Sequence, residues 1–174
     1  MVEPGTTGSR LLGAGFATDP RARGAFDFTT LASDDGARMQ ARPTIRVPSD
    51  LIPAMSEALT CTAGKALDVA GVGAGDLAVV AGLWMSTAMT RLQAAALGVE
   101  VGVVVDLHRM CGNIGACSPL ASLVHAALGG RLHAGDAVPL ATAGPEACAG
   151  TVVLRWGDTA VTTNSPMADV GGHR

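Results

Sequence analysis

Short apolar segments of strand-like composition alternate with longer segments of helical periodicity over most of this chain. Between residues 51 and 128, three helical patterns are separated by two runs of small and β-branched residues, LAVVAG at 77–82 and VEVGVVVD at 99–106. Such alternation favours an α/β architecture in which helices cover a mostly buried mixed sheet. With the segments that flank this region, the predicted order is β-β-α-β-α-β-α-β-β.

The remaining strands are predicted from alternation or from apolar runs bounded by turn residues. Turn signals occur at 19–24 and at 33–36. The predicted strands outside the central region are 11–17, 25–31, 137–142 and 151–156.

The first helix is predicted over residues 51–70. Ser49 or Asp50 is the expected N-cap, and Gly71 is expected to end the helix. Two more helices are predicted at 86–96 and 118–128, the last of which opens with a proline in its first turn. One face of the first helix carries apolar residues at every fourth position, namely Leu51, Met55, Leu59, Ala63 and Leu67.

The length of 174 residues fits one domain. We expect a flexible N-terminus at 1–9, one folded domain at 10–156 and a tail at 157–174. The glycine runs at 13–15 and 71–75 lack the context of a nucleotide-binding loop and are interpreted as turns.

Composition excludes several classes of function. The net charge of −3 leaves no basic stripe for nucleic acid. The start of the chain has no signal-peptide pattern, and the longest uncharged run, Met110 to Gly130, contains Pro119 and His125, which a membrane helix tolerates poorly. A cytoplasmic protein without a membrane span is expected. The four cysteines, scattered over mainly apolar segments, are predicted to be free thiols.

Several motifs, taken in order, resemble a known family. GNIGACSPL at 112–120 and GRLHAGD at 130–136 are similar to segments of ketoacyl-ACP synthase III, and GTVVLRW at 150–156 looks like its closing strand. LASDDG at 31–36 is similar to the family's strand followed by SDG. The resemblance implies a thiolase-like half-domain, since these enzymes consist of two similar halves and this chain resembles the C-terminal one. The family's nucleophilic cysteine lies in the other half.

The resemblance implies roles for three positions. Family members use a Cys–His–Asn set, whose asparagine corresponds to Asn113; an asparagine after glycine is also simply a good turn residue. Leu83 stands where the family's motif P-H-Q-A-N has its histidine, and Ser86 where that motif has its asparagine. An aliphatic side chain can neither donate to an enolate oxygen nor exchange a proton. We therefore expect no condensation by this chain's own residues, and we expect Leu83 and Ser86 to contact substrate.

Gly144 belongs to the segment that replaces the family's glycine-rich oxyanion loop. In this chain the loop contains Pro145, which has no N–H, and Glu146, which brings negative charge. An ordinary hairpin turn is the favoured interpretation of the loop, with Gly144 kept as a candidate substrate-binding residue.

His108, Cys111 and Cys117 raise the question of a metal site or a local nucleophile. Their spacing lacks the tight cysteine pair of zinc sites, so no metal is predicted. Cys111 with His108 three residues before it remains a candidate nucleophile beside Asn113. Burial as small apolar side chains is the preferred interpretation for all four cysteines.

Two functions remain open. The first is a subunit of a split condensing enzyme, which acts on acyl-CoA or acyl carrier protein thioesters and pairs with a Cys-bearing thiolase-fold subunit. The alternative is a non-catalytic subunit that shapes an acyl pocket or scaffolds a complex. No cofactor is expected. Mean hydropathy of +0.36 with only 16% charged residues predicts an oligomer, joined through the apolar face of the first helix or the sheet edge beside 11–17.

Overall fold

Strands and helices alternate through most of the computed structural model, which describes residues 8–22, 26–32, 39–45, 49–144, 147–158 and 161. The elements are, in chain order, β1 (Arg10–Thr18), β2 (Phe26–Ala32), β3 (Met39–Ile45), α1 (Leu51–Ala70), β4 (Val80–Gly82), α2 (Thr87–Leu97), β5 (Val104–Val105), α3 (His108–Cys111), α4 (Ser118–Leu128), β6 (Ala137–Ala143) and β7 (Cys148–Arg155).

Five of the strands form one mixed sheet in the order β1-β7-β6-β4-β5. β7 is antiparallel to both of its neighbours, whereas β4 is parallel to β5 and β6. The parallel strands are joined by crossovers that contain α2 and α4, as parallel connections require. The predicted α/β class is confirmed, and the last four predicted strands lie in this one sheet. β2 and β3 pair separately as an antiparallel hairpin.

Helices cover both faces of this sheet. α1 packs on β1 and β7 and against α2, whereas α4 packs on β4 and β6. Between α1 and β7, the hydroxyl groups of the buried residues Thr62 and Thr151 share a hydrogen bond of 3.1 Å. None of the helices in the described part of the chain has the length and apolar character needed to cross a bilayer.

The apolar face of α1 lies inside the core. Leu51, Met55 and Leu59 are buried against residues of α2 and the β6–β7 end of the sheet, and Leu67 packs against the neighbouring core cluster. The prediction that this face joins a second subunit is therefore wrong, because the sheet of the same chain already covers it.

The glycines of β1 allow α1 to approach closely. A Cβ atom at Gly13 or Gly15 would lie closer than 3.0 Å to a backbone oxygen of α1. These glycines lie within β1 and pair with β7, so their interpretation as a turn is wrong. They serve packing between a strand and a helix.

The predicted helix ends are largely confirmed. α1 ends at Gly71 and α2 at Gly98, both in the left-handed conformation, with φ of 64° and 67°. The hydroxyl of Ser86 caps α2 by accepting from the backbone N–H of Met89 at 3.3 Å. Asp50 holds the N-cap position of α1, but its side chain makes no capping hydrogen bond.

Two predicted strands are shorter than expected. In the segment 77–82, the strand begins only at Val80. In the segment 99–106, a 3-10 turn at Val101–Val103 comes first and the strand is limited to Val104–Val105. β3 and α3 were not predicted, because Pro43 argues against a strand and four residues are too few for periodicity. The predicted turn at 33–36 lies outside the described residues.

An ion-pair cluster joins the turn after β1 to α1. Arg21 contacts the carboxylates of Asp19 and Glu57. The hydrogen bond from the Arg21 side chain is the main cause that lowers the pKa of Asp19 below its ordinary value. Arg21 and Glu57 are largely exposed and Asp19 is partly buried, so solvent weakens these ion pairs and the cluster contributes little stability.

Candidate functional site

A cavity of about 490 Å³ opens beside the C-terminal ends of β4 and β6. Three of the predicted site residues line it together, namely Leu83, Asn113 and Gly144. They come from the end of β4, the loop before α4 and the end of β6. This position agrees with the general rule that α/β proteins bind ligands beyond the carboxyl ends of their parallel strands.

The remaining walls of the cavity are mainly apolar. Phe16 of β1, Met85 and Thr142 contribute to them, and Cys148 adds a thiol at the start of β7. None of the described residues that line the cavity carries a formal charge. Its volume and lining therefore suit a short aliphatic chain rather than a charged ligand.

Leu83 is buried in the wall of the cavity. Its backbone N–H donates to the carbonyl oxygen of Ala141 at 2.9 Å, which fixes the end of β4 beside β6. The side chain has no polar atom, so it can shape the cavity but can transfer no proton.

Asn113 is held in a tight turn. Its Oδ1 accepts from the backbone N–H of Gly115 at 2.8 Å, and Gly115 has a φ of 60°. Because this hydrogen bond uses the amide oxygen, the amide nitrogen remains the donor that Asn113 can offer a ligand. The turn role and the ligand role of Asn113 are therefore compatible.

Gly144 directly follows β6, at the start of the connection to β7. Its backbone N–H donates to the carbonyl oxygen of Cys148 at 2.6 Å. The two strands pair in register down to Ala143 opposite Ala149, which is the geometry of a hairpin. Pro145 and Glu146 lie outside the described residues.

Three predicted site residues do not line this cavity. Ser86 caps α2, Cys111 is exposed at the end of α3, and His108 starts α3, where its backbone N–H donates to Oδ1 of Asp106 at 2.9 Å. The Nδ1 atom of His108 is buried without a hydrogen bond to the described residues. The structure thus separates His108 and Cys111 from the cavity that contains Asn113.

The thiol that does line the cavity is that of Cys148, a residue for which no role is predicted from the sequence. All four cysteines are free and exposed, so the preferred interpretation of the cysteines as buried apolar side chains is wrong. The available signal was the position of Cys148 in the segment that replaces the family's oxyanion loop. Within the described ranges, no group of three or more His, Cys, Asp or Glu residues could hold a metal.

Comparison with known proteins gives relatives of one kind. Over 96 residues the chain is 38% identical to beta-ketoacyl-[acyl-carrier-protein] synthase III of Desulfitobacterium hafniense strain Y51, a match covering 55% of this chain and 29% of that protein. The same values hold for the protein of strain DSM 10664 / DCB-2. The matched region is thus less than a third of either relative.

Solved structures share the fold at low sequence identity. The 3-oxoacyl-(acyl carrier protein) synthase III of Pseudomonas aeruginosa PAO1 matches with a TM-score of 0.71 at 22% identity, covering 87% of this chain and 45% of that one. The OleA H285D structure from Xanthomonas campestris matches with a TM-score of 0.69 at 19% identity, covering 85% and 40%. The chain therefore spans less than half the length of either.

The family model described as 3-oxoacyl-[acyl-carrier-protein (ACP)] synthase III C terminal matches residues 67–156, which is just over half of the chain. These residues include every element from the end of α1 to β7, and with them most of the cavity wall. The resemblance drawn from the motifs is thereby confirmed. The chain belongs to the 3-oxoacyl-[acyl-carrier-protein] synthase III C-terminal family.

Proposed function

We propose that this chain is the acyl-thioester-binding subunit of a split condensing enzyme, and that a separate thiolase-fold subunit supplies the nucleophilic cysteine. The observation that carries the proposal is the composition of the cavity. It combines apolar walls with the amide of Asn113, but Leu83 stands where the family resemblance expects a histidine. Such a cavity can bind an acyl chain and hydrogen-bond its carbonyl, yet it holds no base.

In the proposed reaction the partner's cysteine carries the first acyl group as a thioester. Malonyl thioester loses carbon dioxide, and the resulting enolate carbon attacks the acyl carbonyl while the bond to the cysteine sulfur breaks. Asn113 would donate to the thioester oxygen, where negative charge develops. Leu83 and Phe16 would pack against the aliphatic part of the substrate.

The exposed side of α4 supports pairing with a partner subunit. Small residues at every fourth position, Ser118, Ser122 and Ala126, face the sheet and are buried. Two positions after each of these buried residues comes a large apolar one that is exposed. These residues are Leu120, Val124 and Leu128, which are 59%, 41% and 51% exposed. α4 thus has apolar side chains on two sides: Leu123 and Ala127 pack against the core, and the three exposed residues form a second apolar row that suits an interface.

The segment that leads into α4 extends this surface. Met110 and Ile114 are exposed, and the chain carries no Asp, Glu, Lys or Arg between Met110 and Gly130. Asn113 and Gly115, which flank Ile114, line the cavity. A partner seated on α4 would therefore also border the mouth of the cavity.

The first experiment tests acyl-thioester binding by the isolated chain. Octanoyl-CoA is expected to bind and to protect Cys148 from N-ethylmaleimide, as measured by mass spectrometry of the Cys148 peptide. Cys61, exposed on α1 and outside the cavity lining, serves as the internal control. Equal labelling of Cys148 with and without octanoyl-CoA, together with no heat of binding, would contradict the proposal.

The second experiment tests the division of labour between subunits. The pure chain is expected not to decarboxylate malonyl-carrier protein, and condensation is expected only after addition of the Cys-bearing subunit encoded by a neighbouring reading frame. Replacing Asn113 by Ala should lower kcat of the mixture by about 100-fold, the typical cost of one oxyanion donor. Condensation that does not depend on Asn113 would favour the alternative, a non-catalytic subunit that only shapes the acyl pocket.

A further inference from the structure

The buried side chain of Gln93, on α2, binds the backbone of the residue that forms the cavity wall. Its Oε1 accepts from the N–H of Leu83 at 3.0 Å, and its Nε2 donates to the carbonyl oxygen of Leu83. The same Nε2 lies 3.4 Å from the carbonyl oxygen of Met89. Both polar atoms of the amide are therefore satisfied within α2 and the end of β4.

The side chain of Gln93 packs so closely against Gly82 that only glycine fits at position 82. A Cβ atom at position 82 would lie closer than 3.0 Å to Oε1 of Gln93. The φ of Gly82 is not among the positive values found in this chain, so close contact, and not backbone conformation, favours glycine here. Gln93 and Gly82 thus form a complementary pair directly behind the cavity wall.

The contact with Gln93 ends β4 and directs the chain toward α2. After Gly82, the N–H of Leu83 is shared between the carbonyl oxygen of Ala141 on β6 and Oε1 of Gln93, and the carbonyl oxygen of Leu83 accepts from Nε2 of Gln93. On the other side, Nε1 of Trp84 donates to Oγ of Ser122 on α4 at 2.6 Å. The wall segment is therefore held from both helical layers.

We propose that Gln93 is a positioning residue that fixes Leu83 as the wall of the cavity and thereby sets which acyl chain length the cavity accepts. The acyl nature of the ligand rests on the proposed function. Each buried methylene changes affinity about fourfold, so a small displacement of Leu83 alters the preference between short and long chains. Gln93 touches no substrate and acts through Leu83.

The test compares dissociation constants of acetyl-CoA and octanoyl-CoA for two variants of α2. Gln93→Met keeps the length of the side chain but loses both amide contacts. Thr90→Val is the matched control, since Thr90 is buried on the same helix and its hydroxyl donates to Asp106 at 2.9 Å, away from Leu83. We expect Gln93→Met to change the ratio of the two constants by about tenfold and Thr90→Val to leave it unchanged, even where both lower Tm.

A second set of variants covers the case in which Gln93→Met does not fold. Gln93→Glu keeps the acceptor for the Leu83 N–H and loses the donor, so the ratio should shift in the same direction. The single substitution Gly82→Ala should weaken octanoyl-CoA binding. In a chain that already carries Gln93→Ser, the same substitution should weaken binding much less, because the shorter serine side chain leaves room for the added methyl group.

The outcomes separate the two proposals. If the natural chain binds octanoyl-CoA but the ratio is the same in all folded Gln93 and Gly82 variants, the positioning role is overturned and the proposed function stands. If the natural chain binds neither thioester, the proposed function fails, and the inferred role of Gln93 fails with it.

Discussion

Gly13 and Gly15 determine how closely β1 approaches α1, because each brings a strand Cα against a helix backbone oxygen. Gly64 on α1 is different, since a Cβ atom there would meet nothing within 4 Å. The glycines of β1 are thus required by close contact, whereas Gly64 is only tolerated.

This difference gives a prediction for two single substitutions. Gly15→Ala should lower the free energy of unfolding by about 1–3 kcal/mol, the usual cost of overpacking. Gly64→Ala should raise it by about 0.5–1 kcal/mol, since alanine favours helix over glycine. Urea denaturation measures both, and a Gly15→Ala variant as stable as the natural chain would contradict the packing described for β1.

The site could be predicted from sequence only where it is local. Asn113 bonds to a residue two positions away and Gly144 to one four positions away, so motifs of adjacent residues located both. Cys148 lies in the same loop segment as Gly144, but its place in the cavity lining also depends on the pairing of β7 with β1 and β6, which no local pattern specifies. The separation of His108 from the cavity depends on α3, which is too short to show periodicity.

At the scale of elements, the sequence predicts the helix boundaries well, but it predicts two strands that are longer than those in the structure. α1, α2 and α4 lie within one residue of their predicted ranges, because apolar spacing and terminal glycines specify them. The segment 99–106 is rich in β-branched residues, yet only two of them form β5. Among the described strands, β5 pairs only with β4, which is three residues long. Strand length is set by the available partner, which propensity does not encode.

The exposed apolar residues of α4, Leu120, Val124 and Leu128, lead to a prediction about association. If the proposed Cys-bearing subunit binds at α4, Leu120→Glu combined with Val124→Glu should abolish its binding in sedimentation velocity. Because both side chains are exposed, Tm of the isolated chain should change by only a few degrees. Ile52→Glu on α1, equally exposed, is the control and should bind normally. Unchanged binding by the α4 variant would place the interface elsewhere, with the β1 edge as the next surface to test.

At the scale of the whole molecule, the proposed boundary between domain and tail can be refined. Trp156 is buried in the core on the α4 side, and Val161 packs against the same core cluster. The backbone N–H of Gly157 also donates to Oγ of Ser9 at 3.0 Å, close to the proposed N-terminal boundary. Contacts with the domain therefore continue for several residues past 156.

This observation predicts different effects for two truncations. A chain that ends at residue 158 should have a Tm a few degrees lower than a chain that ends at residue 161, since the apolar contact of Val161 is lost. Differential scanning calorimetry measures both. Equal Tm values for the two truncated chains would show that Val161 adds nothing to the core.

The position of β7 between β1 and β6 has a consequence for synthesis on the ribosome. β1 emerges well before β7, the strand it pairs with, which lies about 130 residues later, and contacts of such sequence separation form slowly. At the usual rates of translation, β1 waits on the order of ten seconds with an unpaired edge. During that interval its apolar residues Leu11, Leu12 and Phe16 are natural binding sites for a nascent-chain chaperone.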